Sequence, residues 1–330
     1  MGKTSIQWAT HTENWLSGCT KISPACTNCY AETMTARLAR MPKSPPQYRD
    51  GVAADQRWTG RIAYNPEALR AAFNGLREAR HPRRVFINSM SDTFHADAPP
   101  ESLRDLATYI HQHEVIRAAK ARMAARDFML DTPEERVDEV NAGLMRRADH
   151  VIMLLTKRPD RLLAWQREYF PAGLPSWVWV GCTVEDQRRA DERIPMLLQV
   201  QAMVRFLSME PLLELVDLAY AAFNGADSFG SLEGIHWVIA GGESGPRARP
   251  SHPQWFRALR DQCESAGVPY HFKQWGEWIP QGQRPRDESA PITDQRGIDF
   301  TRDLYADRIG KKAAGRLLDG RTHDGLPGAP

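Results

Sequence analysis

Three of the five cysteines, Cys19, Cys26 and Cys29, lie within eleven residues of the chain. Their spacing is C-x6-C-x2-C, and the glycine, serine and proline residues around them predict a loop. Thiolates are soft ligands that suit iron–sulfur clusters or zinc. Three thiolates leave one iron of a [4Fe–4S] cluster open, whereas a structural zinc site normally takes four ligands. We therefore expect a metal site, with iron–sulfur as the first interpretation and zinc, completed by His11 or a later residue, as the alternative.

A second group of chemically capable residues follows the apolar runs of the sequence. Hydroxyl, carboxylate and cationic side chains come at the ends of six successive runs, where a strand would give way to a helix. Active sites of (βα) barrels are built at these carboxyl ends of strands. Polar loops are common after strands, but six in succession favour a binding site. The candidate binding residues are Ser89, Asp92, Lys157, Arg158, Glu185, Glu210, Gly241, Gly242, Glu243 and Lys273.

The elements that must position these residues are short apolar runs separated by helical patterns. The runs fall at residues 5–9, 85–89, 151–155, 177–181, 204–208, 237–241 and 270–274. They lack strict alternation, which is typical of parallel strands that are buried on both faces. Helices are predicted over residues 30–40 and from near Asn65, Glu101, Asp160, Asp186 and Gln254. The sequence predicts an α/β fold with a partial (βα) barrel of about six to seven parallel strands. A doubly wound sheet is the alternative.

Two segments fall outside this repeating pattern. Residues 111–150 are longer than one helix needs, so we predict an inserted helical segment there, with one long crossover as the alternative. The tail is rich in Pro, Gly and charge, so we predict an irregular extension over residues 281–330. Residues 309–316 within it resemble a phosphate loop only loosely, because the required glycine and lysine spacing is missing. The barrel domain is expected to span residues 1–280.

Length, composition and charge exclude several classes of protein. The chain has 330 residues, of which 42% are hydrophobic, so it is expected to bury a sizeable core rather than to be disordered. No run of 18 apolar residues occurs and the first residues lack an apolar signal region, so we expect no membrane segment and a cytoplasmic location. The net charge of +2 is too balanced to indicate a nucleic-acid or membrane partner.

The arrangement resembles a known superfamily and, more closely, one family. A three-cysteine loop after the first strand of a partial (βα) barrel is similar to the radical S-adenosylmethionine (SAM) superfamily, where the usual spacing is C-x3-C-x2-C. A closer resemblance, to the phage-associated three-Cys-motif family of unknown function, covers nearly the whole chain. It rests on the segments GCTKISPACTNCYAE, VFINSMSDTFH, LLTKRPDR, SMEPLL, WVIAGGESGPRARP, FKQWGEW and GKKAAGRLLDG.

This resemblance implies that Cys19, Cys26 and Cys29 hold a [4Fe–4S] cluster whose open iron binds the amino and carboxylate groups of SAM. Reductive cleavage of SAM would give a 5′-deoxyadenosyl radical that takes a hydrogen atom from an unknown substrate, for example a nucleotide or a nucleic acid. The radical chemistry belongs to the cofactor, which the protein orients and shields. The implied partners are an electron donor such as a flavodoxin or ferredoxin, and a protein encoded nearby.

The resemblance also implies roles for the candidate residues. Asp92 is expected to accept from the SAM ammonium, and Lys157 or Arg158 to pair with the SAM carboxylate. Ribose, adenine or substrate contacts are expected from Glu185, Glu210 and Lys273, and close backbone approach to a ligand at Gly241, Gly242 and Glu243. Two other functions stay open, a zinc-binding nucleic-acid-associated protein and a non-catalytic phage accessory protein. A phage-encoded chain would lie in the host cytoplasm.

Overall fold

The structure is a computed structural model that describes residues 2–49, 53–54, 57–79, 81–130, 150–222, 232–283, 298–301 and 304–328. Its strands are β1 Gly2–Lys3, β2 His11–Glu13, β3 Leu16–Ser17, β4 Ala53–Ala54, β5 Arg57–Trp58, β6 Ala63–Tyr64, β7 Arg84–Ile87, β8 Val151–Thr156, β9 Val178–Thr183, β10 Arg205–Met209, β11 Trp237–Gly241, β12 Tyr270–Gln274, β13 Trp278–Pro280, β14 Ile298–Thr301 and β15 Leu304–Arg308. Its α-helices are α1 Tyr30–Ala39, α2 Pro46–Arg49, α3 Pro66–Glu78, α4 Pro100–Leu130, α5 Pro159–Tyr169, α6 Gln187–Leu198, α7 Leu218–Ala222, α8 Pro253–Ser265 and α9 Lys311–Ala314. Short 3-10 helices span Pro24–Cys26 and Gln281–Gln283.

Eight strands form one curled sheet, half of a barrel, in the order β1-β2-β7-β8-β9-β10-β11-β12. The seven strands from β2 to β12 pair in parallel, and β1 is antiparallel to β2. Helices connect the parallel strands, as such crossovers require. The sheet therefore agrees with the predicted partial barrel of six to seven parallel strands, and the doubly wound alternative is wrong.

The central strands are apolar throughout because both faces of the sheet are covered. Leu207 and Val238 point toward the helices and join the larger core, whereas their neighbours Phe206 and Trp237 point into the concave side and join a second core. Successive side chains of a strand face opposite ways, so an unbroken apolar run is what two covered faces need. This explains why the runs beginning at residues 85, 151, 177, 204, 237 and 270 all form strands.

The predicted strand at residues 5–9 is wrong. These residues form a turn in which the Ala9 N–H donates to the Ile6 carbonyl at 3.1 Å. The turn places Trp8 inside the half-barrel, where its ring lies 4.8 Å from that of Phe86 and 6.2 Å from that of Trp237. Packing on the concave core therefore overrides the local preference for a strand, and the first parallel strand is β2 instead.

Local signals define the ends of the helices as the sequence predicts. The Asn65 side chain caps α3 by accepting from the Ala68 N–H, and Asp186 caps α6 by accepting from the Arg189 N–H. The predicted insertion at residues 111–150 begins inside α4, which runs on to Leu130, and residues 131–149 lie outside the described part of the chain. Across the described residues, no helix combines the length and the apolar character that crossing a membrane requires.

The C-terminal segment returns to the open edge of the sheet. Strands β13, β15 and β14 form a small antiparallel sheet, so part of the extension predicted as irregular is regular. Further along, the Phe272 N–H donates to the His323 carbonyl at 3.0 Å and the Gly325 N–H to the Tyr270 carbonyl at 2.9 Å. These bonds cover part of the edge of β12 that would otherwise be free to pair with another chain.

One buried side chain fastens β3 to the end of β7. Asn88 has a φ of 51°, a left-handed conformation that asparagine tolerates better than most residues. Its Oδ1 accepts from the N–H groups of Trp15 and Leu16 at 3.1 and 3.2 Å, and its Nδ2 donates to Thr93 at 3.0 Å. Asn88 therefore positions the strand from which the three-cysteine loop emerges.

We expect Asn88→Ala to lower the free energy of unfolding by about 2–4 kcal/mol, because two buried N–H groups lose their acceptor. Urea denaturation measures this change. The control Asn74→Ala, on α3, removes a side chain that contacts Arg77 on the surface and should change stability by less than about 0.5 kcal/mol. An Asn88→Ala variant as stable as the parent would show that other contacts hold β3.

Candidate functional site

The candidate residues gather where the parallel strands end. Asp92 follows β7, Lys157 and Arg158 follow β8, and Glu185 follows β9. Glu210 follows β10, Glu243 follows β11, and Lys273 is the next-to-last residue of β12. Because all these strands run the same way, the residues lie along one edge, which we call the carboxyl edge.

Residues 19–29, which we call the three-Cys loop, leave β3 at this same edge. Gly18 forms an isolated parallel bridge with Ser91, whose hydroxyl donates to the Gly18 carbonyl at 2.6 Å. Gly18 has a φ of 100°, and a Cβ there would lie 1.9 Å from the Arg61 carbonyl oxygen. Only glycine fits this close approach, so the entry to the loop depends on it.

Glu243 holds the far side of the three-Cys loop. It is buried, and its Oε2 accepts from Asn28 Nδ2 at 3.0 Å. Arg249 donates to both oxygens of this carboxylate, with its shortest contact at 2.6 Å, and also to the Pro24 carbonyl at 2.9 Å. The Glu243–Arg249 ion pair therefore holds the loop at two positions, Asn28 and Pro24.

Glu185 makes a weaker link to the middle of the loop. Its carboxylate is fully buried and pairs with Arg193 at 2.8 Å. The other oxygen accepts from the Ala25 N–H at 3.5 Å, the long limit of a hydrogen bond. The ion pair satisfies the buried charge, and the loop backbone takes up the remaining acceptor.

Asp92 and Arg158 hold the start of the loop. The Arg158 guanidinium pairs with Asp92 at 2.8 Å and donates to the Thr20 hydroxyl at 3.2 Å, and Thr20 in turn lies 2.7 Å from His95 Nε2. The Asp92 carboxylate also accepts from Phe94 N–H, Thr156 hydroxyl and Lys157 N–H. Four donors fill its four acceptor positions, so Asp92 organises the ends of β7 and β8.

Glu210, Lys273 and Gln274 form a separate cluster near the open side of the sheet. Lys273 Nζ donates to both Glu210 oxygens at 2.7 and 2.9 Å, and Gln274 Nε2 donates to one of them at 3.0 Å. The Gln274 Oε1 is buried and has no partner. The Tyr30 hydroxyl donates to the Ser89 carbonyl at 2.7 Å, at the end of β7. Burial of this hydroxyl, followed by the charges of Cys29 and Glu210, raises the pKa of Tyr30, although half of the side chain is exposed.

The glycines after β11 pack against protein atoms. A Cβ on Gly242 would lie 1.9 Å from the Trp275 carbonyl oxygen, and one on Gly241 would lie 3.3 Å from the Glu210 carboxyl carbon. Gly242 therefore lets the β11 and β12 ends approach each other closely. The close approach that the sequence predicts for a ligand is here made by the backbone of Trp275.

The three thiols share one electrostatic neighbourhood but differ in environment. Burial raises the pKa of Cys19 to about 11, with the negative charge of Asp92 next in size and those of Cys26 and Cys29 also contributing. Burial also opposes ionisation of Cys26, but the Lys157 ammonium and hydrogen bonds from residues 22 and 23 outweigh it, so the pKa of Cys26 is lowered. Cys26 is therefore more readily ionised than Cys19.

One structural finding bears on the iron–sulfur and the zinc interpretations alike. In the described part of the chain, no three His, Cys, Asp or Glu side chains are placed to hold a metal ion. The suggested fourth ligand also lies elsewhere, because His11 begins β2, pairs with Val85 near the start of β7 and bonds to Thr10. That position is at the amino edge of the sheet, opposite the carboxyl edge.

Several residues that hold the loop at this edge are not predicted from the sequence. Asn28, Arg193, Arg249, Thr20 and His95 complete the ion pairs and hydrogen bonds that hold the loop. Asn28 and Thr20 lie inside the cysteine motif, and His95 and Arg249 lie at or next to the ends of two further motifs that the sequence singles out, so proximity to a motif is the available signal. Two surface cavities, of about 560 and 500 Å³, lie elsewhere and include none of the candidate residues.

Comparison with known proteins identifies a family without a described activity. A family model described as a protein of unknown function (DUF5131) matches residues 3–118 and 117–327. No curated protein and no solved structure matches the chain. The match covers nearly the full length, including the three-Cys loop and every candidate residue of the carboxyl edge.

The unequal thiols lead to a prediction for the metal-free protein. At pH 8, iodoacetamide should label Cys26 before Cys19, since the thiolate is the reactive form and Cys19 stays protonated. Lys157→Met should raise the pKa of Cys26 and slow its labelling by about 3- to 10-fold. Peptide mass spectrometry measures both rates, with Lys312→Met as a surface control. Faster labelling of Cys19 would contradict this picture.

Proposed function

We propose that this protein, which belongs to the DUF5131 family, is an iron–sulfur enzyme of the radical SAM type that acts on an unidentified substrate. The observation that carries the proposal is the position of the three-Cys loop. Three free thiols lie on one loop at the carboxyl edge of a half-barrel, where the loop is held by ion pairs from three different strand ends. Ligand sites of barrel enzymes are built at this edge.

Cysteine thiolates are the donors that would hold a [4Fe–4S] cluster in this proposal. Cys19, Cys26 and Cys29 are all partly buried, and each of the other two acts on the charge of Cys19. Ligands of one zinc ion must converge within about 2.3 Å of it, whereas a cluster spreads three thiolates over three irons. Because no three His, Cys, Asp or Glu side chains of the described residues are placed to hold a metal ion, the proposal rests on the position of the loop and on the soft donor type of its thiols.

When bound, the cluster and SAM supply the reductive cleavage of the sulfonium and the removal of a hydrogen atom from substrate. The chain supplies charge and position. Lys157 Nζ donates to the Thr183 hydroxyl at 3.4 Å, and its charge lowers the pKa of Cys26 against the effect of burial. We assign to it both the stabilisation of thiolate charge and the pairing with the SAM carboxylate.

We propose that Asp92 and Arg158 position neighbouring groups rather than bind SAM. Since Asp92 already accepts four hydrogen bonds, a SAM ammonium would have to displace one of its donors. We therefore assign Asp92 to fixing Arg158 and the backbone of Lys157, with the guanidinium fork fixing Thr20 in turn.

The remaining candidates divide between the loop and the substrate. Glu185 and Glu243 hold the loop through its backbone and Asn28. Glu210 and Lys273, which pair with each other at the ends of β10 and β12, are proposed to contact substrate or the nucleoside part of SAM. Gln274 Oε1 offers an unused acceptor beside them.

Metal analysis tests the cluster. Protein purified and reconstituted without oxygen should contain about four irons per chain and absorb near ~400 nm. Replacing Cys19, Cys26 or Cys29 by Ala should remove most of the iron, whereas Cys182→Ala and Cys263→Ala should keep it, because both thiols lie fully buried in β9 and α8. Zinc in place of iron, or equal iron in Cys26→Ala and the parent, would refute the proposal.

Calorimetry tests the SAM site. With the cluster loaded, Lys157→Met should weaken SAM binding by about 10- to 100-fold, the range expected when a charge-assisted hydrogen bond is lost. Lys312→Met, which removes an exposed lysine of α9, should bind SAM like the parent. A fully loaded protein that does not bind SAM at all would favour a non-catalytic accessory role.

A further inference from the structure

Basic residues are concentrated in three segments that meet at the carboxyl edge. The segments are residues 19–49, 243–250 and 304–316, and together they carry eleven basic and three acidic residues. The net charge of the whole chain is only +2, so the remainder of the chain is net negative. The balanced total therefore conceals a local excess of positive charge at this edge, where an anionic partner would be attracted.

Hydrogen bonds hold the three segments side by side. Asn28 Nδ2 donates to the Arg247 carbonyl at 2.7 Å, which joins the three-Cys loop to the segment after β11. The Arg308 guanidinium donates to the carbonyls of Gly245 and Pro246 at 3.1 and 2.7 Å, which joins that segment to β15. The positive charges of the three segments therefore belong to one continuous surface.

Two of the three carboxylates in these segments are buried and neutralised by the protein itself. Glu32 pairs with Lys21 at 2.9 Å, and Glu243 pairs with Arg249 at 2.6 Å. The third, Asp307, is half-buried. Little negative charge is therefore left on this surface to repel an anion.

Three cations on the same surface have no counter-ion. Arg37 on α1, Arg247 after β11 and Lys311 at the start of α9 are exposed, and none forms an ion pair or a side-chain hydrogen bond with the residues that the structure describes. The neighbouring Glu277 carboxylate instead accepts from the Gly245 N–H at 3.0 Å. Three unpaired cations on three different segments are available to an anion that spans them.

An exposed aromatic ring lies beside these cations. Tyr30, the first residue of α1, is 53% exposed, although its hydroxyl donates to the Ser89 carbonyl at 2.7 Å. It follows Asn28 by two residues, and Arg37 continues the same face of the helix. The hydroxyl bond fixes the ring, and a fixed, exposed ring offers a flat face on which a nucleobase can stack.

We propose that the surface formed by Tyr30, Arg37, Arg247 and Lys311, which we call the basic rim, binds single-stranded nucleic acid. Unpaired cations that contact backbone phosphates, combined with an aromatic side chain that stacks on a base, are how proteins bind single strands. A duplex keeps its bases stacked on one another and offers none to Tyr30. A strand on the basic rim lies beside the three-Cys loop. Its binding needs neither metal nor SAM, so this inference stands apart from the proposed enzyme activity.

Fluorescence anisotropy on the metal-free full chain tests the charges of the basic rim. With a fluorescein-labelled, mixed-sequence RNA 20-mer at about 50 mM salt, Arg247→Glu/Lys311→Glu should weaken binding by at least about tenfold. The slope of log affinity against log salt should become shallower by about 1.4, because two phosphate contacts are lost. The matched control Arg70→Glu/Arg77→Glu makes the same charge change on α3, which packs on β2 at the other end of the sheet, and should bind like the parent.

A second pair of variants tests stacking separately from charge. Tyr30→Ala should weaken RNA binding by at least about fivefold, whereas Tyr30→Phe, which keeps the ring, should bind like the parent. A DNA 20-mer of the same sequence shows whether the basic rim accepts RNA, DNA or both, and the matching duplex should bind more weakly than the preferred strand. Circular dichroism checks that each variant is folded.

Four results would overturn the proposal. They are no saturable binding of either strand by the parent, equal affinity of the parent and Arg247→Glu/Lys311→Glu, and a duplex that binds as tightly as the single strands. The fourth is displacement of RNA by polyglutamate of equal charge together with unchanged binding by Tyr30→Ala, which would assign the basic rim to an acidic protein. None of these results alters the iron content of the reconstituted protein, so the inference and the proposed function can fail separately.

Discussion

The burial of carboxylate charge determines how the carboxyl edge is built. Asp92, Glu185 and Glu243 are all nearly inaccessible to solvent. A buried carboxylate is costly unless a cation and further hydrogen bonds satisfy it. Each of the three therefore has its own arginine within 2.9 Å. Arg193 and Arg249 come from the segment that follows the same strand as their carboxylate, whereas Arg158 follows β8, the neighbour of the strand that precedes Asp92. The acceptor positions that remain are filled by the turns around the strands and by the three-Cys loop, so the loop is held wherever the carboxylates are.

Arginine suits this task better than lysine. Arg158 donates to Asp92 and to Thr20, and Arg249 donates to Glu243 and to the Pro24 carbonyl. The planar fork of a guanidinium reaches two partners in fixed directions, whereas an ammonium acts as a point charge. The arginines thus join the sheet to the loop, whereas Lys157, whose Nζ donates to the Thr183 hydroxyl at 3.4 Å, acts on the thiol of Cys26 through its charge.

The sequence predicts the sheet well because its strands depend on local composition. Runs such as 237–241 and 270–274 coincide with β11 and β12 because both faces of these strands are covered. Residues 5–9 look similar but form a turn, since Trp8 has to fill the concave core. That requirement comes from strands far along the chain, and no window of nearby residues contains it.

In the candidate site, too, some features are predictable from nearby residues and others depend on distant parts of the chain. The thiols and the residues after each strand are recognisable from spacing and type, because chemistry restricts both. The contact between Asn28 and Glu243 spans 215 positions of the chain, and Arg249 meets Pro24 across 225. These contacts cannot be predicted from residue type, since asparagine and arginine are common in polar loops. Only the curvature of the sheet, which brings β11 over the loop that leaves β3, creates these pairs.

At the carboxyl edge, the thiols of Cys19 and Cys26 lie near groups of opposite charge. Cys19 faces Asp92, which opposes its ionisation, and Cys26 faces Lys157, which favours it. The pairing of Asp92 with Arg158 moderates the first effect, since Arg158 lowers the pKa of Cys19. Three thiolates in a partly buried loop would repel one another, so a cation close to one of them reduces the cost of ionising it. Lys157, at the end of β8, has this effect on Cys26. The loop and the sheet are therefore linked through thiolate charge as well as through hydrogen bonds.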